Sequence, residues 1–419
     1  MFPSERMKVL IVVGARPNFM KVAPIIRAAG NHREKRTGLE VETLLVHTGQ
    51  HYDAAMSDQF FVDLGLPKPD VHLGVGSGSH TQQTADVMKK FEEVVQREKP
   101  DVVVVVGDVN STVACALVTA KLSFDSAGSR PLIAHVEAGL RSFDRTMPEE
   151  VNRIVTDHVS DLLFVTEESG LENLGNEGIS PDWIHFVGNT MIDSLLAFRE
   201  KADLSTVLED LRLRGRTGDK AIARYALLTL HRPSNVDTRD GFLSIVEGLQ
   251  ELAAECPIVF PVHPRTRQRI KEFGLESRMG MNAAKENPAA PGSASIQKGI
   301  ILTDPLGYLD FLCLMKNAAI VVTDSGGIQE ETTCLGIPCV TVRENTERPV
   351  TVDCGTNVIA GTAKGRIQAA IRAQMDRKPS GRMPKHWDGR AAERIIDVLI
   401  RAHRDRSITK QSRVPEPCV

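Results

Sequence analysis

"DVVVVVGDVNST", residues 101 to 112, decides the fold. A near-continuous run of valine is the mark of a parallel strand covered on both faces, because no alternate position is left for water. Gly107 ends the run, a polar turn follows, and a helical stretch begins. The same unit recurs on either side as "KVLIVVGARP", "TLLVHTGQH", "PLIAHVEAG", "DLLFVTEES" and "IHFVGNT". After about residue 220 it starts again as "YALLTLHRPSN", "PIVFPVHPRT", "GIILTDPLGY", "AAIVVTDSGGIQEE", "IPCVTVREN" and "TNVIAGT". Apolar runs alternating with helical segments are βαβ units. Twelve candidate strands in two series predict an α/β chain of two doubly wound, Rossmann-like domains rather than one barrel. The boundary is expected between residues 187 and 188, with a second domain over 188–389 and an amphipathic helix over 390–404. A polar tail is expected over 405–419, and an Ala/Pro/Gly/Ser-rich surface loop over 280–299.

Composition agrees. The chain's 419 residues exceed one ordinary core, and 42 % hydrophobic with 25 % charged residues is a normal globular balance. A net charge of −3 without a basic block argues against nucleic acid or an anionic membrane as partner. No apolar run approaches the roughly 18 residues of a membrane span. The short run after the N-terminal charges reads as the first strand, not a signal peptide. The seven cysteines show no CxxC spacing and fit reduced core thiols of a cytoplasmic protein rather than a disulfide or zinc framework.

In open α/β sheets, ligands bind at the carboxyl ends of the strands. Arg16, Gln50, Asp108 and Glu137 stand there in the first series. His231, Arg232, His263, Asp304, Asp324 to Gly327 and Arg343 stand there in the second. Ser325, Gly326 and Gly327 open a helix, where free N–H groups and the dipole favour a phosphate; the plainer reading is a Ser N-cap with small residues for packing. Glu330 or Glu331 beside it suits ribose hydroxyls. Arg16 and Lys21 in "VGARPNFMK" suit phosphate or lie on the surface of a βα turn. His231 is an ordinary loop histidine or, with Arg232 opposite the SGG helix, a partner for a departing phosphate. His263 reads the same way with less support.

Glu149 and Glu150 follow Pro148 and read first as helix-start acids that complement the dipole. Glu137 is harder to dismiss, since it directly follows an apolar strand, and Asp108 holds the equivalent place one unit earlier. Carboxylates grouped around a sugar ring serve general acid/base work and stabilise an oxocarbenium-like centre. Acids on one side and phosphate ligands on the other point to a phosphate-linked sugar whose C1–O bond is broken.

The motifs "GARPNFMKVAP", "TGQH", "GDVNST", "HVEAGLRS", "PEEVNR", "TLHR", "DSGGIQEE" and "RENTERP" resemble, in order and spacing, those of the non-hydrolysing UDP-N-acetylglucosamine 2-epimerases. The resemblance covers nearly the whole chain. It implies a glycosyltransferase-B type fold with the active site in the interdomain cleft, a homodimer, and a C-terminal helix returning to the first domain. It also implies interconversion of UDP-GlcNAc and UDP-ManNAc through elimination of UDP to 2-acetamidoglucal, with no metal or nicotinamide. By the same resemblance Asp108, Glu137 and Glu149 serve proton transfer at C2 and cation stabilisation, and His231 stands beside the departing UDP. Arg16 and Lys21 match the basic pair of the first loop, Ser325–Gly327 the diphosphate cradle, Glu331 the ribose acceptor and Phe311 a residue near the uracil. The chain departs from many members in reading "HRPS" for "HRRE" and in carrying Asp53 after "TGQH". That second region helps bind an activating UDP-GlcNAc in many bacterial members, and Gln50 is kept. Relatives of the family act on UDP-2,3-diacetamido sugars, and hydrolysing cousins release free ManNAc. A glycosyltransferase of the same fold, or a non-catalytic nucleotide-sugar sensor, is the more distant alternative.

Overall fold

Valine-rich segments pair as parallel ladders throughout the computed structural model, which describes residues 5–34, 39–50, 61, 63–126, 128–214, 221–279, 298–376 and 381–411. The expected 280–299 loop lies outside these except for its last two residues, as do His51, Asp53 and the Arg16 side chain. The chain divides into two compact units, one running to Ser194 and resuming at Lys385, the other spanning Leu195–Pro384.

The first unit holds strands β1 (Glu5–Val13), β2 (Leu39–His47), β3 (Val71–His72), β4 (Val102–Val106), β5 (Leu132–Ala138), β6 (Leu162–Val165) and β7 (Ile184–Phe186). They pair in the order β3-β2-β1-β4-β5-β6-β7, every described pairing parallel. All five valines of β4 are buried. Leu10, Val12, Val103 and Val105 pack with Val87 and Phe91 of the helix His80–Glu98 and with Ala114 and Ala116 of the helix Asn110–Lys121. Burying such a side chain contributes roughly 1.5–3 kcal/mol each.

The second unit repeats the plan. Strands β8 (Ala226–Thr229), β9 (Pro257–Pro261), β10 (Gly299–Thr303), β11 (Ile320–Thr323), β12 (Cys339–Thr341) and β13 (Asn357–Ile359) pair in the order β10-β9-β8-β11-β12-β13, again parallel. Leu228, Val322, Phe242 and Phe260 lie in its core. All twelve expected strands are present. Among the described residues a further strand, β3, has two residues and is too short to show a periodicity.

The unit boundary falls inside the helix Thr190–Phe198, at Leu195 rather than residue 188. The first turns of that helix belong to the first unit through their polar groups. Ser194 Oγ donates to the Met20 carbonyl at 2.5 Å. The Asp193 carboxylate accepts from the amides of Ala391 (3.1 Å) and Ala392 (2.7 Å). Asp193 thereby caps the final helix, Ala391–Gln411, which returns to the first unit. That helix runs past the expected end at 404, since neither Gly nor Pro interrupts it. Among the described residues no helix is long and apolar enough to cross a membrane.

Each strand order reverses at one place, between β1 and β4 in the first unit and between β8 and β11 in the second. These are the positions where doubly wound sheets open a crevice for ligands. Asp108 follows β4 at the first, and His231 and Arg232 after β8 and Ser325 to Gly327 after β11 stand at the second.

Candidate functional site

At the first reversal, β4 is followed by Gly107, whose φ of +70° turns the chain sharply. A Cβ there would stand 3.2 Å from Lys21 Nζ and 3.3 Å from Glu137 Oε2, so the glycine leaves room for a buried ion pair between those two groups. Lys21 comes from the helix Arg16–Glu34, whose start is held by Asn18. The Asn18 carboxamide oxygen accepts from the amides of Gly14 (3.2 Å) and Ala15 (3.0 Å), and its nitrogen donates to the Val106 carbonyl at 3.0 Å. Glu137 occupies a bulge: the β5–β6 register slips between Val136 and Ala138, and Glu137 takes a left-handed φ of +75°. Such a backbone costs on the order of 1–3 kcal/mol in a non-glycine residue and persists only where its surroundings impose it. Removing one partner of a buried pair costs about 3–5 kcal/mol, so Glu137 and Lys21 hold each other in place. The sequence offers Lys21 to phosphate; the fold sets it against an acid.

Asp108 follows Gly107 and is 28 % exposed, with Oδ2 3.5 Å from Nη1 of buried Arg153. Its carbonyl accepts from Asn152 at 2.9 Å. The helix Pro148–Val159 separates the roles of its two leading glutamates. Glu150 is buried, accepts from the amides of Ser142 (3.0 and 3.1 Å) and Phe143 (2.8 Å), and faces Arg153 at 3.2 Å. Glu149 is half-buried, and no hydrogen bond to its carboxylate is described. The first-turn reading therefore suits Glu150, whose carboxylate anchors the 142–143 loop. Gln50 is buried, and its carboxamide oxygen accepts from the Ser111 amide (3.0 Å) and hydroxyl (2.7 Å), tying the "TGQH" turn to the helix after Asp108.

At the second reversal Asp324 is fully buried behind β11 and organises the "TLHR" turn. It accepts from the amides of His231 (3.0 Å) and Arg232 (2.9 Å), from Asn235 Nδ2 (3.1 Å), and faces His231 Nδ1 at 2.9 Å. Burial alone would raise the Asp324 carboxyl; the charge and hydrogen bonds of His231, with the two amides, outweigh it and hold the group below its ordinary range. His231 stays 57 % exposed, oriented from behind by a carboxylate. Pro233, the departure from "HRRE", is the first residue of the short helix Pro233–Val236, where its missing N–H costs nothing.

The helix Gly326–Leu335 starts beside it. Ser325 precedes it, but among the described residues its side chain makes no capping hydrogen bond. A Cβ on Gly326 would fall 2.4 Å from Nη1 of Arg348. That arginine comes from the "RENTERP" loop and pairs with Glu330 at 2.9 Å. Glu347 of the same loop faces Arg343 (2.7 Å), Arg232 (3.2 Å) and Arg348 (3.5 Å). Arg232, Arg343 and Arg348 thus gather at a helix N-terminus, the setting that favours a phosphate, with Glu330, Glu347 and the buried Asp324 as their partners. The sequence marks Arg348 only through the "RENTERP" motif that contains it.

Glu331 is buried one residue past Glu330, with the Tyr308 hydroxyl 3.5 Å from Oε1. Burial, then the charge of Glu330, push its carboxyl up to about 8. Phe311 lies half-buried on the helix Tyr308–Asn317. His263 takes the N-cap of the helix Pro264–Glu272, its Nδ1 accepting from the Arg265 amide at 3.3 Å. Among the described residues no group of three or more His, Cys, Asp or Glu side chains is placed to hold a metal ion.

The chain can be compared with known proteins on this footing. The UDP-N-acetylglucosamine 2-epimerase family model matches residues 33–400. The UDP-N-acetylglucosamine 2-epimerase of Methanocaldococcus jannaschii is 41 % identical over 396 residues, covering 94 % of this chain and 99 % of that one. The UDP-2,3-diacetamido-2,3-dideoxy-D-glucuronate 2-epimerase of Pseudomonas aeruginosa is 38 % identical over 396 residues, with the same coverage. A crystal structure of the M. jannaschii UDP-GlcNAc 2-epimerase in complex with UDP-GlcNAc and UDP matches with a TM-score of 0.80 and 41 % identity, covering 94 % of this chain and all of that one. Two parallel sheets with flanking helices, the acids of "GDVN", "HVEAG" and "PEEVN" and the cationic helix start of "DSGG" thus occur in a chain that belongs to the UDP-N-acetylglucosamine 2-epimerase family.

Proposed function

We propose that this protein interconverts UDP-GlcNAc and UDP-ManNAc without net hydrolysis. The observation that carries the reading is the division of chemistry between the two strand-order reversals. One presents carboxylates, and the other presents cations around a helix start. A UDP-sugar needs both, so the sugar is assigned to the first unit and UDP to the second.

The reaction begins as a carboxylate takes the C2 proton of the sugar. The C1–O bond breaks, its electron pair leaves with UDP, and a C1–C2 double bond remains in 2-acetamidoglucal. Asp108, Glu137 and Glu149 supply the base, the acid and the negative charge that favours a cationic C1. His231, oriented by Asp324, and Arg232 meet the departing diphosphate at the Gly326 helix start. Re-addition returns a proton to the opposite face of C2 and UDP oxygen to C1, which balances the reaction as an isomerisation. Retention of UDP by these cations separates this course from hydrolysis. Glu331 accepts the ribose hydroxyls and Phe311 lies near the uracil. A cytoplasmic homodimer is part of the proposal, and the free, buried Cys115, Cys256, Cys313 and Cys339 agree with a reducing compartment.

Incubation of the protein with UDP-GlcNAc in D2O, followed by proton NMR, tests the proposal. Deuterium is expected at C2 of both UDP-ManNAc and recovered UDP-GlcNAc, with only traces of free UDP. Protium fully retained at C2 of the product would overturn the mechanism. Stoichiometric release of UDP with free ManNAc would overturn the retaining branch. The P. aeruginosa relative favours a second reading, a UDP-2,3-diacetamido sugar as substrate. Parallel incubation with that sugar decides it by which one turns over.

A further inference from the structure

The helix Pro148–Val159 carries Glu149, Arg153 and Asp157 at i, i+4 and i+8, along one face. The first is a proposed catalytic acid and the second faces Asp108. Asp157 serves neither, yet it is fully buried and bonded on both carboxylate oxygens. Oδ1 lies 2.6 Å from His135 Nδ1; Oδ2 accepts from the Gly139 amide at 3.1 Å and from Arg141 Nη2 at 2.7 Å. Arg141 continues to Glu177 at 2.7 Å, so the acid has a cationic partner independent of the histidine. Burial would raise the Asp157 carboxyl, but His135 and Arg141 outweigh it and hold it ionised. On its other side, His135 Nε2 lies 2.8 Å from the Gly107 carbonyl oxygen.

A carbonyl oxygen only accepts, and so does an ionised carboxylate. A neutral imidazole has one N–H and would set a lone pair against one of these buried oxygens; only a ring carrying a proton on each nitrogen satisfies both. The two backbone groups this pair controls flank the catalytic acids. Gly107, at φ +70°, precedes Asp108, and Gly139, at φ +80°, lies two residues after Glu137. Glycine peptides in that region have alternative orientations open to them, and an acceptor or donor fixed in the core selects one. We infer that His135 is a positioning residue: its ring, donating to Asp157 and to the Gly107 carbonyl, holds the Gly107–Asp108 peptide and, through Asp157 and Gly139, the strained backbone of Glu137 in the geometry that C2 chemistry requires. It touches no reacting atom. The role in turnover rests on the epimerase reading; the state of the ring does not.

The test has two arms on the full-length protein. In the first, NMR of histidine-selectively 15N-labelled protein at neutral pH, with the signal assigned by its loss in His135→Gln, should show both ring nitrogens protonated. A neutral tautomer would overturn the inference even if the enzyme proves to have another substrate. In the second, His135→Gln and Asp157→Asn should each lower kcat for C2 deuterium incorporation by about 10²-fold, as expected for misplaced catalytic groups. KM and UDP affinity should stay within about threefold, because UDP is assigned to the second unit. Asp157→Asn carries this arm alone if His135→Gln does not fold. Retained kcat, or kcat and UDP affinity lost together, would overturn it. Absence of epimerisation in the unaltered protein would overturn the functional reading and leave the first arm to decide the ring.

Discussion

The two units share one strand order and use it for opposite electrostatics. In the first, Asp108 and Glu137 stand at the strand ends beside the reversal between β1 and β4, with Lys21 set against Glu137 and Glu149 in the first turn of a later helix. In the second, at the reversal between β8 and β11, Asp324 is buried behind the turn, where it accepts from the amides of His231 and Arg232, and Glu330 and Glu347 are each paired with arginines. A doubly wound sheet fixes where a ligand lies, because strand ends diverge at the reversal. It does not fix the sign of the charge there. That is decided by whether the acid stands on the turn or beneath it. Asp108, one residue past Gly107, is partly exposed; Asp324, next to the last residue of β11, is not.

The largest effect should come from removing charge at the first reversal. Asp108→Asn, Glu137→Gln and Glu149→Gln should each lower turnover by about 10² to 10⁴-fold, the range for loss of a general acid or base. UDP affinity should be nearly unchanged. Glu150→Gln is the internal control: it breaks a buried contact with Arg153 and should lower the melting temperature more than Glu149→Gln does. Normal turnover in all three acid variants would reduce the comparison to one of surface charge.

At the second reversal the corresponding change is Gly326→Asp. The new side chain would enter the space of Arg348 and set a negative charge at the helix start. UDP affinity should fall by about 10²-fold, or roughly 2.7 kcal/mol, with an unaltered circular dichroism spectrum. Isothermal titration with UDP checks it, and undiminished affinity would remove the phosphate assignment.

The smallest effect concerns Glu331. Its carboxyl, raised to about 8 in the folded protein, binds a proton that the unfolded chain releases near 4.5. Folding is therefore opposed progressively as pH rises through that window and by a constant amount above it. Glu331→Gln removes the opposition. The variant should melt higher than the unaltered protein at pH 8, and the gap should close as the pH falls towards 5. Its UDP affinity should drop, because the ribose hydroxyls lose an acceptor. A gap independent of pH would show that Glu331 titrates normally.

Both sheets were legible in the chain, since a parallel strand covered on both faces leaves an apolar run, as the five buried valines of β4 do, whereas the two residues of β3 leave none. The acids were legible as residues following such runs. Their functions were less so. Glu149 and Glu150 are indistinguishable by position alone, and only the 142–143 loop shows that Glu150 is bonded. The "HRPS" departure shows its reason only in the structure, where Pro233 opens a short helix.

By itself, the sequence determined the architecture and the inventory: two doubly wound sheets, acids at the strand ends of one and cations at those of the other. These follow from local rules, because hydrophobic period, glycine at the turn and proline at a helix start act over a few residues. Only the tertiary structure decided the partnerships. Lys21 meets Glu137 across 116 residues, Asp324 orders His231 across 93, and Asp157 reaches His135 and Gly139 from the following helix. Whether a buried charge is held, neutralised or aimed depends on which group the fold places within about 4 Å of it, and no local period in the chain records that distance.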